Sequence, residues 1–309
     1  MVPVAGAGGG GGSIRIPASL CGLVGLKPSR GRVSHGPVVG EGWGGLATNG
    51  VVTRTVRDSA AVLDVLAGFE QGDPSTAPAL PGPLAREVGA DPGRLRVGFT
   101  AVHPHGGLPE DADLTAAVTG AAGLLESLGH RVEPGFPEAL GDPDFPDRFF
   151  AIVCANLVAE VEGVGLWRGR PVAVEELEAF NRFVSERGRA IGAAEHILNM
   201  LWTDGYRARM VAWWTSFDLL LVPTLGVAPF RIGWHTADGV AAALGRAIRT
   251  VAFTAPFNAT GQPAISLPLH RTAAGLPVGV QLVAAPGRED VLIRVAAQLE
   301  STFGTQDAG

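Results

Sequence analysis

The sequence predicts an α/β protein in which a mixed β-sheet is covered by helices. At residues 94–135 a short apolar segment, an amphipathic segment and a second short apolar segment follow one another, which is the order of a crossover unit. The continuous apolar run FDLLLVPT at 217–224 is typical of a strand buried on both faces. Two further strand-like stretches and a final helical pattern close the chain. Together these features indicate one sheet with helices packed on it.

The first half of the chain is predicted from helical spacing and from turn residues. Apolar residues at helical spacing predict a helix over 56–68, with Thr55 or Asp58 as its N-cap and Gly68 at its end. Proline, glycine and small polar residues mark 69–93 as a surface connection. The crossover unit then comprises a strand at 94–100, a helix at 111–129 and a strand at 130–135.

The second half is predicted to be helical first and then rich in strands. Three amphipathic stretches between 149 and 214 are typical of helices that cover a sheet edge or roof a cleft. After the buried strand, the predicted elements are a helix at 240–253, two neighbouring core strands at 258–268 and 275–285, and a closing helix at 287–301.

The composition excludes several classes of protein. With 309 residues, of which 46% are hydrophobic and 17% charged, the chain can bury a core and is too apolar to be disordered. The charged residues are interspersed and sum to −6, so no electrostatic footprint for nucleic acid is present. No window approaches 18 uninterrupted apolar residues, which argues against a membrane partner. A small, neutral substrate fits this composition better.

The cysteines and histidines point to an ordinary intracellular protein without metal. Cys21 and Cys154 are the only cysteines, and the N-terminus lacks the basic and apolar regions of a signal peptide, so we expect a reducing, cytoplasmic location. Both thiols are predicted to be buried core residues. His103 and His105 lie in a Pro/Gly loop without a third ligand, so we expect solvent-facing side chains and no metal site.

A serine directly follows five consecutive glycines near the start of the chain. The stretch GAGGGGGSIRIPASLCGLVGLKPSRGRVS begins at Gly6 and places Ser13 after residues 8–12. Glycines let successive backbone N–H groups converge on one point, which a nucleophilic serine needs for its oxyanion. The apolar residues that follow, such as Ile14 and Ile16, would anchor this turn on a core. From the residues alone, a catalytic cradle and a structural glycine turn remain equally open.

A longer motif around this serine resembles a known family. Residues 11–28 match Gly-Gly-Ser-Ile-Arg-x-Pro-x-x-x-Cys-Gly-x-x-Gly-Leu-Lys-Pro at every fixed position, which resembles the signature of the amidase signature family of serine hydrolases. Similarity continues through GGLATNGVVTRTVRDSAAVLD, FDLLLVPT and FNATGQPAISLPLHRTAAGLPVGVQLVAAPGRED, and is weakest in the middle of the chain. SRGRVS and GEGWGG are similar to the branch of this family that includes the nylon-oligomer cyclic-dimer hydrolases.

The resemblance implies a reaction and a catalytic group. Ser13 is implied as the nucleophile, and the backbone N–H groups of Gly10, Gly11, Gly12 and Ser13 as the oxyanion hole. A lysine that acts through a serine in a cis peptide is implied as the base. The expected reaction is hydrolysis of a carboxamide C–N bond in a small-molecule amide, through a serine acyl-enzyme and without a cofactor.

We interpret the chain as a single, partial amidase domain over 1–309. Residues 1–70 are the remainder of the signature core with the nucleophile, and 71–309 are the C-terminal part with a helical insertion at about 149–214. Within this insertion, Trp202 and Tyr206 are the candidate apolar wall of the substrate pocket, because they precede the buried strand at helical spacing.

The chain departs from the family pattern in two places. The twelve residues before Ser13 contain no Ser and no Lys, and the only lysine, Lys27, occupies the family's structural position. Gly9 stands where the family carries an aspartate, so Arg15 must find another partner or stay solvated. We therefore expect an N-terminally truncated chain, either a fragment of an amidase or an inactive remnant or interaction protein that retains the fold. Exposed apolar faces would then favour a homo-oligomer or a complementing fragment.

Overall fold

The computed structural model describes residues 2–37, 39–106 and 111–304, which form an α/β fold with eight strands and nine helices. In chain order the strands are β1 (Val4–Gly9), β2 (Val24–Lys27), β3 (Thr48–Thr53), β4 (Arg96–Phe99), β5 (Arg131–Pro134), β6 (Leu219–Pro223), β7 (Ala264–Arg271) and β8 (Pro277–Ala284). The helices are α1 (Arg15–Cys21), α2 (Val56–Leu66), α3 (Ala112–Ser127), α4 (Phe145–Arg168), α5 (Ala179–Arg189), α6 (Ala193–Val211), α7 (Gly239–Val251), α8 (Ala255–Ala259) and α9 (Glu289–Gly304). The remaining residues of the predicted domain, 1, 38, 107–110 and 305–309, lie outside the described residues.

The strands form one mixed sheet in the order β1-β3-β2-β7-β8-β6-β4-β5. β4 runs parallel to β5 and β6, and the other neighbouring pairs are antiparallel. The three strands from residues 1–70 lie at one end and join the rest where β2 pairs with β7. The predicted mixed sheet is therefore confirmed, and both predicted parts of the domain contribute to it.

Helices pack on both faces of the sheet, and β6 shows why. Its residues are all buried, with Leu219 and Leu221 facing the core formed by α2, α3 and α9. The intervening Leu220 and Val222 face the core formed with α4, α6 and α8. Successive side chains of a strand point to opposite faces, so a strand covered on both sides is apolar throughout. The prediction from FDLLLVPT is confirmed.

The crossover unit and the first long helix also agree with the sequence. β4, α3 and β5 form a parallel strand–helix–strand unit, with Arg96 paired to Arg131. Thr55 is the N-cap of α2, because its Oγ1 accepts a hydrogen bond from the backbone N–H of Asp58 at 3.1 Å. The predicted neighbouring strands near the C-terminus pair as β7 and β8.

Two local predictions are wrong. The strand expected from residue 258 begins only at Ala264, because Asn258 and Ala259 belong to α8 and Pro263 separates the two elements. Cys21 is exposed, since α1 buries Arg15, Ala18 and Ser19 instead and ends at Cys21. Sequence reasoning also missed β1, β2 and β3, which are short and rich in glycine and small residues, so they lack the alternation that marks a strand.

Helix α4 is longer and more apolar than the sequence reasoning suggested. Among the described residues, it is the one helix that could cross a membrane by length and composition, with a mean hydropathy of 1.7 in its most apolar window. Isolated charges interrupt its apolar run, so the criterion of an uninterrupted run does not identify it. In this fold α4 packs against α5 and α6, and the absence of a membrane partner stays a prediction.

A buried ion pair ties the segment after β2 to the start of α9. The guanidinium of Arg32 donates to both carboxylate oxygens of Glu289 at 3.2 Å, and the Glu289 carboxylate also accepts from the backbone N–H of Ser29 at 2.9 Å. Glu289 is fully buried and Arg32 nearly so. Because both charges are hydrogen-bonded, removal of one partner would leave the other charge buried and unpaired.

We expect Glu289→Ala to lower the free energy of unfolding by about 3–5 kcal/mol, since Arg32 loses its carboxylate partner. The matched control is Glu133→Ala, which removes the exposed pair between Arg131 and Glu133 and should cost at most about 1 kcal/mol. Urea unfolding of both variants checks this. Equal losses in the two variants would contradict the structural role of the buried pair.

Candidate active site

The predicted nucleophile lies in the segment 9–13, which runs from the last residue of β1 towards α1 and is called here the nucleophile loop. Gly12 adopts φ +137°, a conformation that L side chains rarely adopt, and a Cβ there would lie 2.4 Å from Oγ1 of Thr254. A Cβ on Gly10 would lie 2.9 Å from the ring of Trp43, and one on Gly9 would lie 2.5 Å from Oγ of Ser13. The glycines therefore let this backbone pass between groups that leave no room for side chains.

In the nucleophile loop, three backbone carbonyls are hydrogen-bonded to the protein, whereas four backbone N–H groups are not bonded to any of the described residues. The carbonyls of Gly9, Gly11 and Gly12 accept hydrogen bonds from Asn258, Thr254 and the backbone N–H of Ile16, respectively. The N–H groups of Gly10, Gly11, Gly12 and Ser13 have no hydrogen-bond acceptor among the described residues. Because these residues line a cavity, the loop offers unpaired donors to whatever occupies it. Unpaired donors at the cavity are one requirement of the predicted oxyanion hole, whose role stays a prediction.

The Ser13 side chain is exposed at the cavity. No hydrogen-bond partner for its hydroxyl is found in the described ranges, so no base contacts it there. Lys27 is buried and donates from Nζ to the carbonyl of Pro28 at 2.9 Å, and it does not line the cavity. Burial, together with the neighbouring positive charges of Arg15 and Arg30, holds the pKa of Lys27 well below its usual value.

Arg15, two residues after the nucleophile, is fully buried. Its Nη1 donates to Oε1 of Gln281 at 2.5 Å, and its Nη2 donates to the carbonyl of Thr254 at 3.0 Å and to Oδ1 of Asn258 at 2.5 Å. Burial lowers the pKa of Arg15 to about 9, so the guanidinium keeps its charge at neutral pH. Arg15 thus finds neutral partners where the family pattern implied a carboxylate.

The cavity in front of Ser13 has a volume of about 470 Å³ and an apolar lining. Besides the nucleophile loop, its walls come from α4, α7 and the segment around Trp43. The apolar side chains from the two helices are Phe145, Phe149, Phe150 and Val153 of α4 and Leu244, Ala247, Ile248 and Val251 of α7. An amide that enters would therefore meet backbone donors in surroundings of low polarity, where hydrogen bonds are electrostatically stronger than in water.

His105 is the one ionisable side chain among the described residues that line the cavity. Its ring stacks on Phe145 with the centroids 6.3 Å apart, and its Nδ1 is buried without a hydrogen-bond partner in the described part of the chain. Burial first, and then the neighbouring His103, lower the pKa of His105 to about 4, against a smaller opposing effect of Asp142. The imidazole is therefore neutral at pH 7, and the expectation of a solvent-facing loop residue is wrong.

Trp202 and Tyr206 lie behind the cavity wall. The fully buried Tyr206 ring stacks on Phe145 at 4.8 Å between centroids, and Trp202 stacks on Tyr206 at 5.2 Å. Phe145 lines the cavity, whereas the other two rings are not among the lining residues that the structure describes. Tyr206 thus contacts the wall residue Phe145, Trp202 contacts Tyr206, and the part of this pair in substrate binding stays a prediction.

Several residues of the site were missed by sequence reasoning. Phe145, Phe149 and Val153 recur at a spacing of four along α4, and this periodicity could have indicated a helix face. Thr254 and Asn258 are also four residues apart, which places two polar side chains on one face of a short helical turn. The remaining cysteine prediction is confirmed, since Cys154 is buried. No group of three metal-ligating side chains occurs within the described residues.

Comparisons with known proteins identify the family and the fold. The Amidase family model matches residues 1–293. The 6-aminohexanoate-cyclic-dimer hydrolase of Pseudomonas sp. (strain NK87) is 41% identical over 98% of this chain and 64% of its own length. The solved structure of a 6-aminohexanoate cyclic dimer hydrolase complexed with substrate superposes with a TM-score of 0.92 at 39% identity, over 97% of this chain and 64% of that one. The predicted resemblance is confirmed.

A second enzyme type shares the fold at lower identity. A bacterial aryl acylamidase of the amidase signature family superposes with a TM-score of 0.82 at 25% identity, covering 98% of this chain and 64% of that one. This chain therefore spans about 64% of the length of these relatives.

We expect Gly12→Ala to destabilise the fold by about 1–3 kcal/mol, since alanine is strained at this φ and its Cβ would collide with Thr254. Gly6→Ala is the matched control, because a Cβ at Gly6 meets nothing within 4 Å. Urea unfolding measures both variants. Loss of the same stability in Gly6→Ala would show that any alanine in this region is costly and would contradict the prediction.

The folded protein should lose stability through His105 as the pH falls from about 6.5 to about 4. Its pKa is lower in the folded chain than in the unfolded one, so the unfolded state takes up the proton first. His105→Gln should therefore show a shallower fall in unfolding free energy than the unsubstituted chain over this range. Urea unfolding of both proteins at a series of pH values tests this, and the difference between their unfolding free energies at pH 8 is the reference. The same difference at every pH would refute the prediction.

Proposed function

Since the chain belongs to the amidase family, we propose that it hydrolyses the C–N bond of a small carboxamide through an acyl-enzyme on Ser13. The observation that carries the proposal is the nucleophile loop, where four consecutive backbone N–H groups, from Gly10 to Ser13, are left unpaired by the described residues beside an exposed serine hydroxyl. Such donors stabilise the negative charge that develops on the carbonyl oxygen during acyl transfer.

The reaction proceeds in two halves. The Oγ of Ser13 attacks the amide carbon, the carbonyl oxygen becomes an oxyanion held by the loop N–H groups, and the C–N bond breaks. The departing amine leaves with the proton from the serine hydroxyl. Water then attacks the acyl ester, which releases the carboxylic acid and restores the hydroxyl. Every donor that this scheme uses belongs to the nucleophile loop.

The proton of Ser13 requires an acceptor that the described residues near the hydroxyl do not provide. The resemblance implies a lysine that works through a cis serine, and Lys27 is buried away from the cavity with its Nζ bonded to Pro28. The relatives are longer than this chain, which spans about 64% of them. The scheme therefore assigns the proton acceptor to none of the described side chains.

The cavity favours an uncharged, largely apolar amide. Its walls are aromatic and aliphatic, and its single titratable side chain within the described ranges, His105, is neutral at pH 7. A charged group that lies against these walls, or a cation anywhere in the cavity, would lose its hydration without gaining a partner. The cyclic dimer named for the relatives is an uncharged diamide, which supports this assignment. Trp202 and Tyr206 contribute to substrate binding indirectly. Tyr206 stacks on Phe145, which lines the cavity, and Trp202 stacks on Tyr206.

One observation favours a second candidate, an inactive chain or interaction protein that retains the fold. The Ser13 hydroxyl has no hydrogen-bond partner among the described residues, and an unactivated serine is a weak nucleophile at neutral pH. The two candidates differ in the reactivity of Ser13.

We expect a fluorophosphonate probe to label the purified chain at Ser13, because the loop donors stabilise the phosphoryl oxygen as they would an oxyanion. Intact mass and peptide mapping locate the adduct. Ser13→Ala should abolish labelling, whereas Ser127→Ala, on the exposed face of α3, should leave it unchanged. If the chain labels, a fresh sample that has not met the probe would then be tested on neutral amides. A folded chain that is not labelled at Ser13 would support the inactive candidate.

A further inference from the structure

We propose that Thr254 and Asn258 are positioning residues that orient the oxyanion-hole N–H groups of the nucleophile loop. Thr254 directly precedes α8 and Asn258 lies within it, and each side chain binds one carbonyl of the loop. The proposal rests on the function proposed for Ser13 and deepens it, because it names the side chains that set the direction of the loop N–H groups.

Thr254 controls the peptide between Gly11 and Gly12. Its Oγ1 lies 2.7 Å from the carbonyl oxygen of Gly11 and 3.2 Å from that of Val251, and its single proton is donated over the shorter distance, to Gly11. In a planar trans peptide the carbonyl and the following N–H point in opposite directions, so this bond turns the N–H of Gly12 away from Thr254. The hydroxyl lies against Gly12 so closely that a Cβ would meet it at 2.4 Å. Rotation of this peptide would break the bond and leave a carbonyl unpaired.

Asn258 controls the peptide between Gly9 and Gly10 in the same way. Its Nδ2 donates to the carbonyls of Gly9 at 2.9 Å and Leu46 at 2.8 Å, while its Oδ1 accepts from Arg15 at 2.5 Å. The side-chain orientation is determined, because carbonyls only accept and a guanidinium only donates. The N–H of Gly10 is consequently directed away from Asn258.

Arg15 holds the two positioning residues together. Its Nη2 bonds both the carbonyl of Thr254 and the side chain of Asn258, and its Nη1 bonds Gln281 in the central strand β8. All of these groups are buried. Arg15 thus connects the two residues that bind the loop to a strand in the middle of the sheet. This is the rigid support that a preorganised oxyanion hole needs.

Three variants separate positioning from packing. Thr254→Val keeps the side-chain shape and removes the hydroxyl, and Thr254→Ser restores it. Asn258→Asp keeps the size and gives Arg15 a carboxylate partner, but replaces the donor to Gly9 by an acceptor. A residue that served only to satisfy Arg15 would tolerate the aspartate, whereas a positioning residue would not.

The measurements are the second-order rate of fluorophosphonate labelling at Ser13 and crystal structures of the full chain. During labelling the Oγ–P bond forms, the P–F bond breaks, and fluoride and the hydroxyl proton leave to solvent. We expect Thr254→Val and Asn258→Asp to slow labelling at least about tenfold. Thr254→Ser should label close to the unsubstituted rate. The Gly11–Gly12 peptide should turn in Thr254→Val, and the Gly9–Gly10 peptide in Asn258→Asp.

Unturned peptides in folded Thr254→Val and Asn258→Asp, or turned peptides with unchanged labelling rates, would overturn the proposal. Failure of the unsubstituted chain to label would count against the amidase function instead. In that case the peptide orientations in the crystal structures still decide the positioning proposal, since they do not depend on reactivity. If Thr254→Val does not fold, Thr254→Ala removes the same hydroxyl bond to Gly11 with a smaller side chain, and the same two readouts decide the proposal.

Discussion

A buried positive charge without a carboxylate partner is the constraint around which the site is built. A guanidinium removed from water destabilises the fold unless its donors are satisfied, and Arg15 is fully buried. Its two Nη atoms donate to the amide oxygens of Gln281 and Asn258 and to the carbonyl of Thr254, whereas its Nε has no partner among the described residues. These acceptors belong to β8 and to the region of α8, so the charge is accommodated only when both meet α1. Ser13 lies two residues before Arg15, and its position follows from that meeting.

Glycine has a different role in this site, namely to make space. Gly9, Gly10 and Gly12 each face an atom closer than any Cβ would allow, from Ser13, Trp43 and Thr254 respectively. The backbone can therefore lie flat against its neighbours, bind its carbonyls to one side and leave its N–H groups free. An apolar cavity then covers those donors. The unpaired donors favour a negative charge that develops on an oxygen at the loop, and the apolar walls disfavour charge elsewhere on the ligand.

Sequence patterns predicted those elements whose local composition depends directly on whether they are buried or exposed. The apolar run at 217–224 indicates burial on two faces, and β6 has it. The loop at Ser13 was recognised because five consecutive glycines allow a close backbone turn that residues with a Cβ do not. Cys21 and the start of β7 were predicted wrongly, since a single apolar residue at a helix end and a short helical turn carry little periodicity. Trp202 and Tyr206 were chosen as the cavity wall, and α4 supplies the rings that line it.

The sequence by itself determined the α/β class, the buried central strand, the family motif at residues 11–28 and the serine that the motif singles out. Only the tertiary structure decided which groups satisfy Arg15, which helices cover Ser13 and which side chains turn the loop carbonyls. The physical reason is distance along the chain. Arg15 and its partners Asn258 and Gln281 are separated by 243 and 266 residues, so no local spacing records their contact. The buried guanidinium of Arg15 can bind these acceptors only after the sheet has formed and has brought them next to it.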